Sequence, residues 1–438
     1  MDGTGTSVTV GLLGLGTVGS GVARILLDQA ERISRRSGRR VDVKWALVRD
    51  PERPRPGPLP FERITTDVGQ ILDDPEVTII VEVMGGIRPT LDYLLEALAK
   101  GKDVVTANKA LLAEHGTELF AQARRFGRSI TFEASVAGGI PIVQAIGQGL
   151  AANQVQGLAA IVNGTCNFIL TAMTRDGLPY AQALAKAQEL GYAEADPTLD
   201  VDGTDTAHKL AILAQLAFGA TVVTSQIPRQ GIDRLLLADI AYATELGYAV
   251  KLLALAKLSS AGLELRVAPT LVRRGTPLAE VSGPYNAVRV VGDAVGDTFF
   301  YGQGAGSLPT ASAVVADIID VVIGRAGLSF RAMNLWSENG SSPRLASSEQ
   351  VRSRYYNRFM IADRPGVIAA ISRVLGDHGI SIASLIQHDP GDDSPPDSPV
   401  PLVLLTHLAV EAHLIAALRE IDRLDVVHPP SICLGVEE

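Results

Sequence analysis

A glycine pattern near the start of the chain limits the fold more than any other feature. Gly14-Leu15-Gly16-Thr17-Val18-Gly19 follows the apolar run Val8–Leu13 and opens the helix-patterned segment Val18–Arg35. A strand before and a helix after is the context that gives such a loop meaning. Gly14 allows a tight turn, Gly16 lets a pyrophosphate approach the backbone, and Gly19 lets helix and strand pack closely. The helix N-terminus then offers N–H groups and a partial positive charge to phosphate oxygens. Apolar runs at Val41–Val48, Val77–Val83, Asp103–Thr106 and Ser129–Phe132 alternate with helical patterns at Thr90–Lys100 and Ala110–Arg125. This alternation predicts an α/β domain, a Rossmann-type parallel sheet covered on both faces.

At the end of the second strand Arg49 precedes Asp50, with Arg53 nearby in the Pro-rich rim loop Pro51–Pro60. An acid there binds a ribose 2′-hydroxyl and selects NAD, whereas an arginine accommodates the 2′-phosphate of NADP. The order of the two residues favours NADP, with NAD as the alternative. A solvated loop charge explains either arginine equally well.

The 438 residues exceed one comfortable core, so two or three domains are expected. A hydrophobic fraction of 47% with 20% charged residues describes a packed globular protein rather than a disordered one. The net charge of -9 argues against a nucleic-acid partner, which would need a basic stripe. No charged-then-apolar leader precedes Ser7–Leu13. The longest apolar helical stretches, such as Ile240–Ser259, are interrupted by Glu245 and Lys251, so no membrane span is expected. Cys166 and Cys433 cannot staple a chain of this size, and a reducing cytoplasm is the simplest home.

The middle third changes character. A helix over Pro141–Leu150 and a strand over Leu158–Val162 lead into helical stretches around an acidic loop, with later strands at Leu263–Pro269, Ala287–Val291 and Thr298–Tyr301. Strands and helices in blocks suggest an α+β domain. Pro309–Ile323 is a small-residue helix suited to pack back on the first domain. Periodicity fades near Arg325–Arg352, with Gly, Ser and Pro around Asn339–Pro343, which reads as a linker. The tail has the order β-α-β-β-α-β of the split ferredoxin-like motif, with an acidic, Pro-rich loop, Gly391–Pro401, between its middle strands. The expected division is 1–137, with a helix of 307–325 returning to it, then 138–306, a linker over 326–352, and 353–438.

The acidic loop lies in Gly191–Leu210, where Glu194, Asp196, Asp200, Asp202 and Asp205 precede Lys209. Pro197 and Gly203 interrupt the acids, and from Thr204 the spacing of Ala207, Leu210, Ala211 and Ala214 is helical. Asp205 and Lys209 therefore share one helix face at i,i+4. A surface pair of this kind contributes at most ~0.5 kcal/mol. Here the following helix is almost wholly apolar, so Lys209 enters a buried helix with a carboxylate to hold it. That arrangement suits a positive, proton-carrying group. His208 sits on a different face and reads as structural.

The glycine loop, Thr106-Ala107-Asn108-Lys109, Asn163-Gly164-Thr165-Cys166-Asn167 and the acidic loop stand in an order that closely resembles homoserine dehydrogenase, over roughly residues 7–325. The tail, with Ala362-Asp363-Arg364-Pro365-Gly366-Val367 and Gly379-Ile380-Ser381-Ile382, looks like an ACT domain. The resemblance implies reversible NAD(P)-linked interconversion of L-homoserine and L-aspartate 4-semialdehyde, a step towards threonine and methionine. It implies Lys209 as proton donor to the carbonyl oxygen, Lys109 beside substrate and nicotinamide as the alternative donor, and Asp205 as support for Lys209. Glu194 would bind the substrate amino group, and Asp200 would bind substrate or hold a lysine. Glu133, Val136, Gly138 and Ile140 match the family's sodium site, and Gly306 aligns with a glycine near the cofactor. ACT domains commonly bind amino acids where two copies meet, which implies a homodimer or homotetramer responding to threonine near Asp363–Val367.

Aldehyde reduction needs a hydride at carbon and a proton at the emerging alkoxide, and a lysine can stabilise that charge and then donate. Blander roles compete: Lys109 as a helix-start surface lysine, and Glu133 as a cap on the helix near Pro141. Cys166 suggests a thiolate that oxidises the semialdehyde through a thioester, although no activating histidine stands beside it. A non-catalytic nucleotide-and-ligand sensor is the reading from another class. The set Lys109, Glu194, Asp205 and Lys209 argues against it.

Overall fold

A computed structural model describes residues 7–53, 59–337, 342–388 and 398–437. The chain forms two compact units, each assembled from three separate segments. The first comprises Met1–Gly164, Asp205–Ile227 and Tyr285–Pro343, and the second Thr165–Thr204, Pro228–Pro284 and Arg344–Glu438.

The first unit carries the predicted parallel sheet. Its strands are β1 (Val8–Leu13), β2 (Val41–Leu47), β3 (Ile64–Thr65), β4 (Val77–Glu82), β5 (Asp103–Thr106) and β6 (Ile130–Thr131), in the order β3-β2-β1-β4-β5-β6. Every pairing is parallel. The register aligns Leu13 with Leu47 and Glu82, and Glu82 with Thr106, so the carboxyl ends of four strands share one rim. In such sheets that rim, at the reversal of strand order between β1 and β4, is where ligands bind. The apolar runs are buried because both faces are covered. The helix Ser307–Val322 joins the same core through Ala311, Val314 and Ile318. The unit also contains an antiparallel set in which Tyr285–Gly292 pairs with both Gly296–Gln303 and Val155–Ile161.

Local pattern failed at three places. Val18–Arg35 is two helices, Thr17–Asp28 and Ala30–Ser37, although no glycine or proline marks the break at Gln29. Residues 325–333, expected in a linker, form the helix Arg325–Met333 with Ala326 and Phe330 buried. Trp336 then packs against Phe120 and Phe132 of the same unit, so aromatic burial orders a segment that looks irregular in sequence. The cluster around Asn339 lies outside the described residues in part (338–341), as does the rim loop over 54–58. Ile240–Ser259 is not one helix: a helix ends at Glu245, Gly247 turns at φ 86°, and Tyr248–Ser259 is a strand. Leucine and alanine left the local preference open, and cross-strand pairing with Gly262–Arg273 decided it.

In the second unit the hairpin Tyr248–Ser259/Gly262–Arg273 continues into the tail. Val427–Glu437 runs parallel to Gly262–Arg273, followed by Arg352–Ile361, Val400–Thr406 and, at the edge, Ile382–Gln387. Helices Val367–Asp377 and Glu411–Ile421 supply Ile371, Leu375, Leu414 and Ala417 to the tail's own core. The β-α-β-β-α-β order is the ferredoxin-like one. The tail is not a loosely tethered module, because its last strand extends the hairpin's sheet. The loop 389–397 lies outside the described residues. None of the described helices is long and apolar enough to cross a membrane.

Candidate functional site

The glycine loop occupies the predicted rim. Gly14 has φ 107°, which an L side chain rarely adopts, and a Cβ there would press on Met84. A Cβ on Gly19 would lie 2.1 Å from the Gly14 carbonyl, so glycine is required where the helix meets the loop. A Cβ on Gly16 would meet nothing within 4 Å, because it would project into open space. Gly16 is the N-cap residue of Thr17–Asp28 and supplies no side-chain cap, which leaves the first-turn N–H groups of Thr17, Val18 and Gly19 to an anion. A cleft of about 700 Å³ opens here, lined by Gly14, Gly16, Thr17, Arg49, Asp50 and Arg53 among others. Gly306, at φ 123°, starts the helix Ser307–Val322, and the Ser307 hydroxyl donates to the Thr17 carbonyl at 2.7 Å. These residues fit a dinucleotide: an open backbone approach, a helix N-terminus and a rim with both charge signs.

Glu82, at the end of β4, was not singled out by sequence, yet it organises the rim. It is completely buried, and one carboxylate oxygen accepts the N–H groups of Met84 and Gly85, each at 2.9 Å. The other accepts the Thr106 hydroxyl at 2.7 Å. Burial pushes its carboxyl above the usual range, partly offset by these donors. An acid closing an apolar strand was the available signal. Thr106 also accepts the Asn108 N–H, and Asn108 caps the next helix by accepting the Leu111 N–H at 3.2 Å. Lys109 is therefore fixed as the first residue of the helix Lys109–Phe126.

The first unit brings Lys109, Asp205 and Lys209 together. Asp205 Oδ1 lies 3.0 Å from Lys109 Nζ, and Asp205 Oδ2 lies 2.8 Å from Lys209 Nζ. Asn163, which follows the strand Val155–Ile161, donates to Asp205 Oδ2 at 2.9 Å. Lys209 also donates to the Val162 carbonyl at 2.6 Å, which uses two of its three N–H bonds. The Lys209 and Asp205 side chains are 13% and 10% exposed, whereas that of Lys109 is 41% exposed. Burial alone would raise the Asp205 carboxyl, but the charges of Lys209 and Lys109, with hydrogen bonds from Lys209 and Asn163, hold it far below the carboxylate range. The i,i+4 pair is thus half of a two-lysine cluster around one ionised acid. His208 faces Glu114 at 3.6 Å, and burial lowers its imidazole below its ordinary value.

In the second unit the loop's other acids divide by role. Asp196 accepts the Thr198 N–H and hydroxyl, and Asp202 accepts those of Thr204, so each closes a turn that leads into a helix. Asp200 lies on the short helix Thr198–Val201, and Glu194 is exposed. Cys166 is buried with its thiol on the Asp200 carbonyl at 3.2 Å, a packing contact rather than the exposed, activated setting of a nucleophile.

Glu133 has both carboxylate oxygens on backbone donors, Val143 N–H at 2.8 Å and Gln144 N–H at 2.9 Å, and so caps the helical turn that begins at Ile142. Burial, with the charge of Asp320, pushes it up to about 7, against the lowering effect of the N–H donors. Ala137 and Gly138, at φ 55° and 52°, curl the segment tightly, and the Ile140 carbonyl accepts the Ile142 N–H at 2.8 Å. Among the described residues no cationic side chain pairs with Glu133. A buried carboxylate with no cationic side chain against it is a group that a hard cation can neutralise.

Comparison with known proteins places the whole chain beside one family. Residues 14–133 match the family described as homoserine dehydrogenase, NAD binding domain, residues 141–319 match homoserine dehydrogenase, and residues 358–423 match the ACT domain. The homoserine dehydrogenase of Pseudomonas aeruginosa is 44% identical, with 98% of this chain and 99% of the relative covered. That of Bacillus subtilis is 41% identical over 98% of each. A crystal structure of a homoserine dehydrogenase from Thiobacillus denitrificans superposes with a TM-score of 0.89 at 43% identity, covering 99% of both chains. A hyperthermophilic archaeal homoserine dehydrogenase solved in complex with NADPH aligns over 73% of this chain and 98% of its own, at 25% identity and a TM-score of 0.62.

Proposed function

Because the chain belongs to the homoserine dehydrogenase family, we propose that it interconverts L-homoserine and L-aspartate 4-semialdehyde with Lys209 handling the proton. The observation that carries this is Lys109 and Lys209 on the single carboxylate of Asp205. Two ammonium groups against one carboxylate leave a net positive charge in a largely buried place. Charge of that sign, fixed before reaction, stabilises an oxyanion without reorganisation. Lys209 is held by Asp205 and the Val162 carbonyl, which leaves one N–H for a substrate oxygen. In the reducing direction Lys209 gives its proton to the alkoxide, and in the oxidising direction it takes the hydroxyl proton. Lys109, more exposed, keeps Asp205 ionised and is the alternative donor. Glu194 supplies an exposed carboxylate for the substrate amino group, and Asp200 a second acid for substrate or for a lysine.

A nicotinamide dinucleotide bound along Gly14–Gly19 supplies or accepts the hydride. NADP is our reading, with NAD as the alternative, because Arg49 and Arg53 line the cleft at the end of β2 and the archaeal relative binds NADPH. A monovalent cation, sodium by the family resemblance, fits Glu133 with the carbonyls of Val136, Gly138 and Ile140, and would brace that loop rather than enter the chemistry. A homodimer or homotetramer binding threonine at the tail completes the reading, in a pathway towards threonine and methionine.

The test is direct. Purified chain with L-homoserine and NADP⁺ or NAD⁺ should produce reduced cofactor, and absence of turnover with both overturns the reading. Arg49→Ala should weaken NADP binding and spare NAD, since only NADP carries the 2′-phosphate. Equal losses for both cofactors would assign Arg49 a structural or shared contact.

A further inference from the structure

A buried charge pair in the second unit plays no part in the reading above. Tyr356 and Arg358 are two residues apart on the strand Arg352–Ile361, so both side chains leave the same face. Both end on one oxygen of Asp239, in the helix Leu237–Glu245. Arg358 Nε donates to Asp239 Oδ1 at 2.6 Å, and the Tyr356 hydroxyl donates to it at 3.0 Å. Asp239 and Tyr356 are completely buried, and Arg358 is 4% exposed. The other Asp239 oxygen accepts the Leu236 N–H at 2.8 Å, fixing the first turn of the helix.

From Leu236 a run of backbone contacts leads to the acidic loop. Leu235 N–H donates to the Ile232 carbonyl, and Ile232 N–H donates to the Val201 carbonyl at 2.9 Å. Val201 ends the short helix that carries Asp200, and Asp202 next to it accepts the Thr204 N–H. Gly231 allows this approach, since a Cβ there would lie 2.3 Å from the Val201 carbonyl. On the opposite side Gln230 N–H donates to the Val267 carbonyl at 2.8 Å, which ties the segment to the strand Gly262–Arg273. The segment 230–236 is therefore held at three points, by Val267, by Val201 and by Asp239.

We propose that Asp239, gripped by Arg358 and Tyr356, is a positioning residue for the acidic loop. Fixing Leu236 fixes the 230–236 segment, and that segment props the helix bearing Asp200. The strand that supplies both donors belongs to the ACT module. A displacement of that strand therefore reaches the loop through buried side chains as far as Asp239 and through backbone hydrogen bonds from there, and any coupling is reciprocal. The inference rests on the reading that the loop binds the amino-acid substrate. A buried pair that merely docked the module would affect global stability without singling out the loop.

Two variants of the full chain separate these roles. Tyr356→Phe removes one donor and keeps the ion pair, and Arg358→Gln removes the charge and keeps a donor. In both, the KM for L-homoserine should rise about 3- to 10-fold, with kcat and the cofactor KM changed less than about twofold. Amide hydrogen exchange of residues 197–204 should quicken, while that of 14–26 stays unchanged. Arg358→Lys, which keeps the charge, should restore most of the protection. Unchanged exchange at 197–204 in folded variants, or equal acceleration in both segments, overturns the proposal. If Arg358→Gln does not fold, Tyr356→Phe alone decides by the same criteria. Exchange needs no turnover, so a chain inactive on homoserine would retire the functional reading while the bracing of the loop is still judged.

Discussion

At the scale of single residues, the site depends on how burial and charge balance around Asp205. Its carboxyl stays ionised because two lysines and Asn163 outweigh the cost of burial. Lys209→Ala removes the better buried of the two ammonium groups and should lower turnover on homoserine by at least ~100-fold, as for loss of a general acid–base group. Near-normal turnover in the folded variant would move the proton to Lys109 or to water. Lys251 shows the opposite balance. It is buried in a strand, donates to the Val281 carbonyl, and burial pushes its ammonium down to about 8 against 10.5, with Glu280 opposing the shift and Arg175 adding to it. The folded value lies below the unfolded one, so between pH 8 and 10.5 the unfolded chain binds the extra proton and stability rises with pH. From pH 7.5 to 10 the parent should gain about 2 kcal/mol relative to Lys251→Met in urea unfolding. A constant difference between the two proteins would show that Lys251 does not titrate in this range.

At the scale of elements, the helix Lys109–Phe126 joins chemistry at one end to packing in its middle. Asn108 caps it and Lys109 begins it, while Gly116 faces the indole of Trp336. Gly116→Ala should gain about 1 kcal/mol from helix propensity alone. The added Cβ would lie 2.6 Å from the Trp336 ring, in a cluster with Phe120, Phe132 and Phe330. Overpacking costs about 1–3 kcal/mol, so the clash should win and the variant should be destabilised. In the Trp336→Leu background the same substitution should be neutral or stabilising, a non-additivity that a double-mutant cycle measures. Additive effects would mean that Trp336 moves freely aside. Sequence gave no hint of this pairing, because the partners are more than two hundred positions apart and Trp336 lies where periodicity fades.

At the scale of the whole molecule, the tail's attachment decides how its role can be tested. Val427–Glu437 pairs with Gly262–Arg273, and Arg266 lies within 3.4 Å of Glu411. Deleting the chain after Val351 would therefore open a sheet edge, take Tyr356 and Arg358 from the buried Asp239 and take Glu411 from Arg266, which is destabilising in itself. Substitution at the expected effector position is the cleaner experiment. Gly366, at φ 94°, is the N-cap residue of the helix Val367–Asp377, and Gln387 donates to Asp363 beside it. Threonine should inhibit the intact enzyme, and Asp363→Ala should weaken inhibition while leaving turnover without threonine unchanged. Saturating threonine that alters neither rate nor thermal stability would leave the tail a structural module.

The Rossmann-type parallel sheet, the glycine loop, the i,i+4 pair of Asp205 with Lys209 and the β-α-β-β-α-β tail were all legible in the chain. Each rests on local rules: backbone freedom at glycine, helical spacing, and apolar runs of strand length. Tertiary structure decided the rest. It set Lys109 against Asp205 from a helix nearly a hundred residues away, buried Glu82 as the brace of the rim, and made Tyr248–Ser259 a strand where local preference was open. It also stitched the tail into the hairpin's sheet and fastened Arg358 to Asp239. These contacts join positions distant in sequence, and their energies come from burial and pairing that no local window contains.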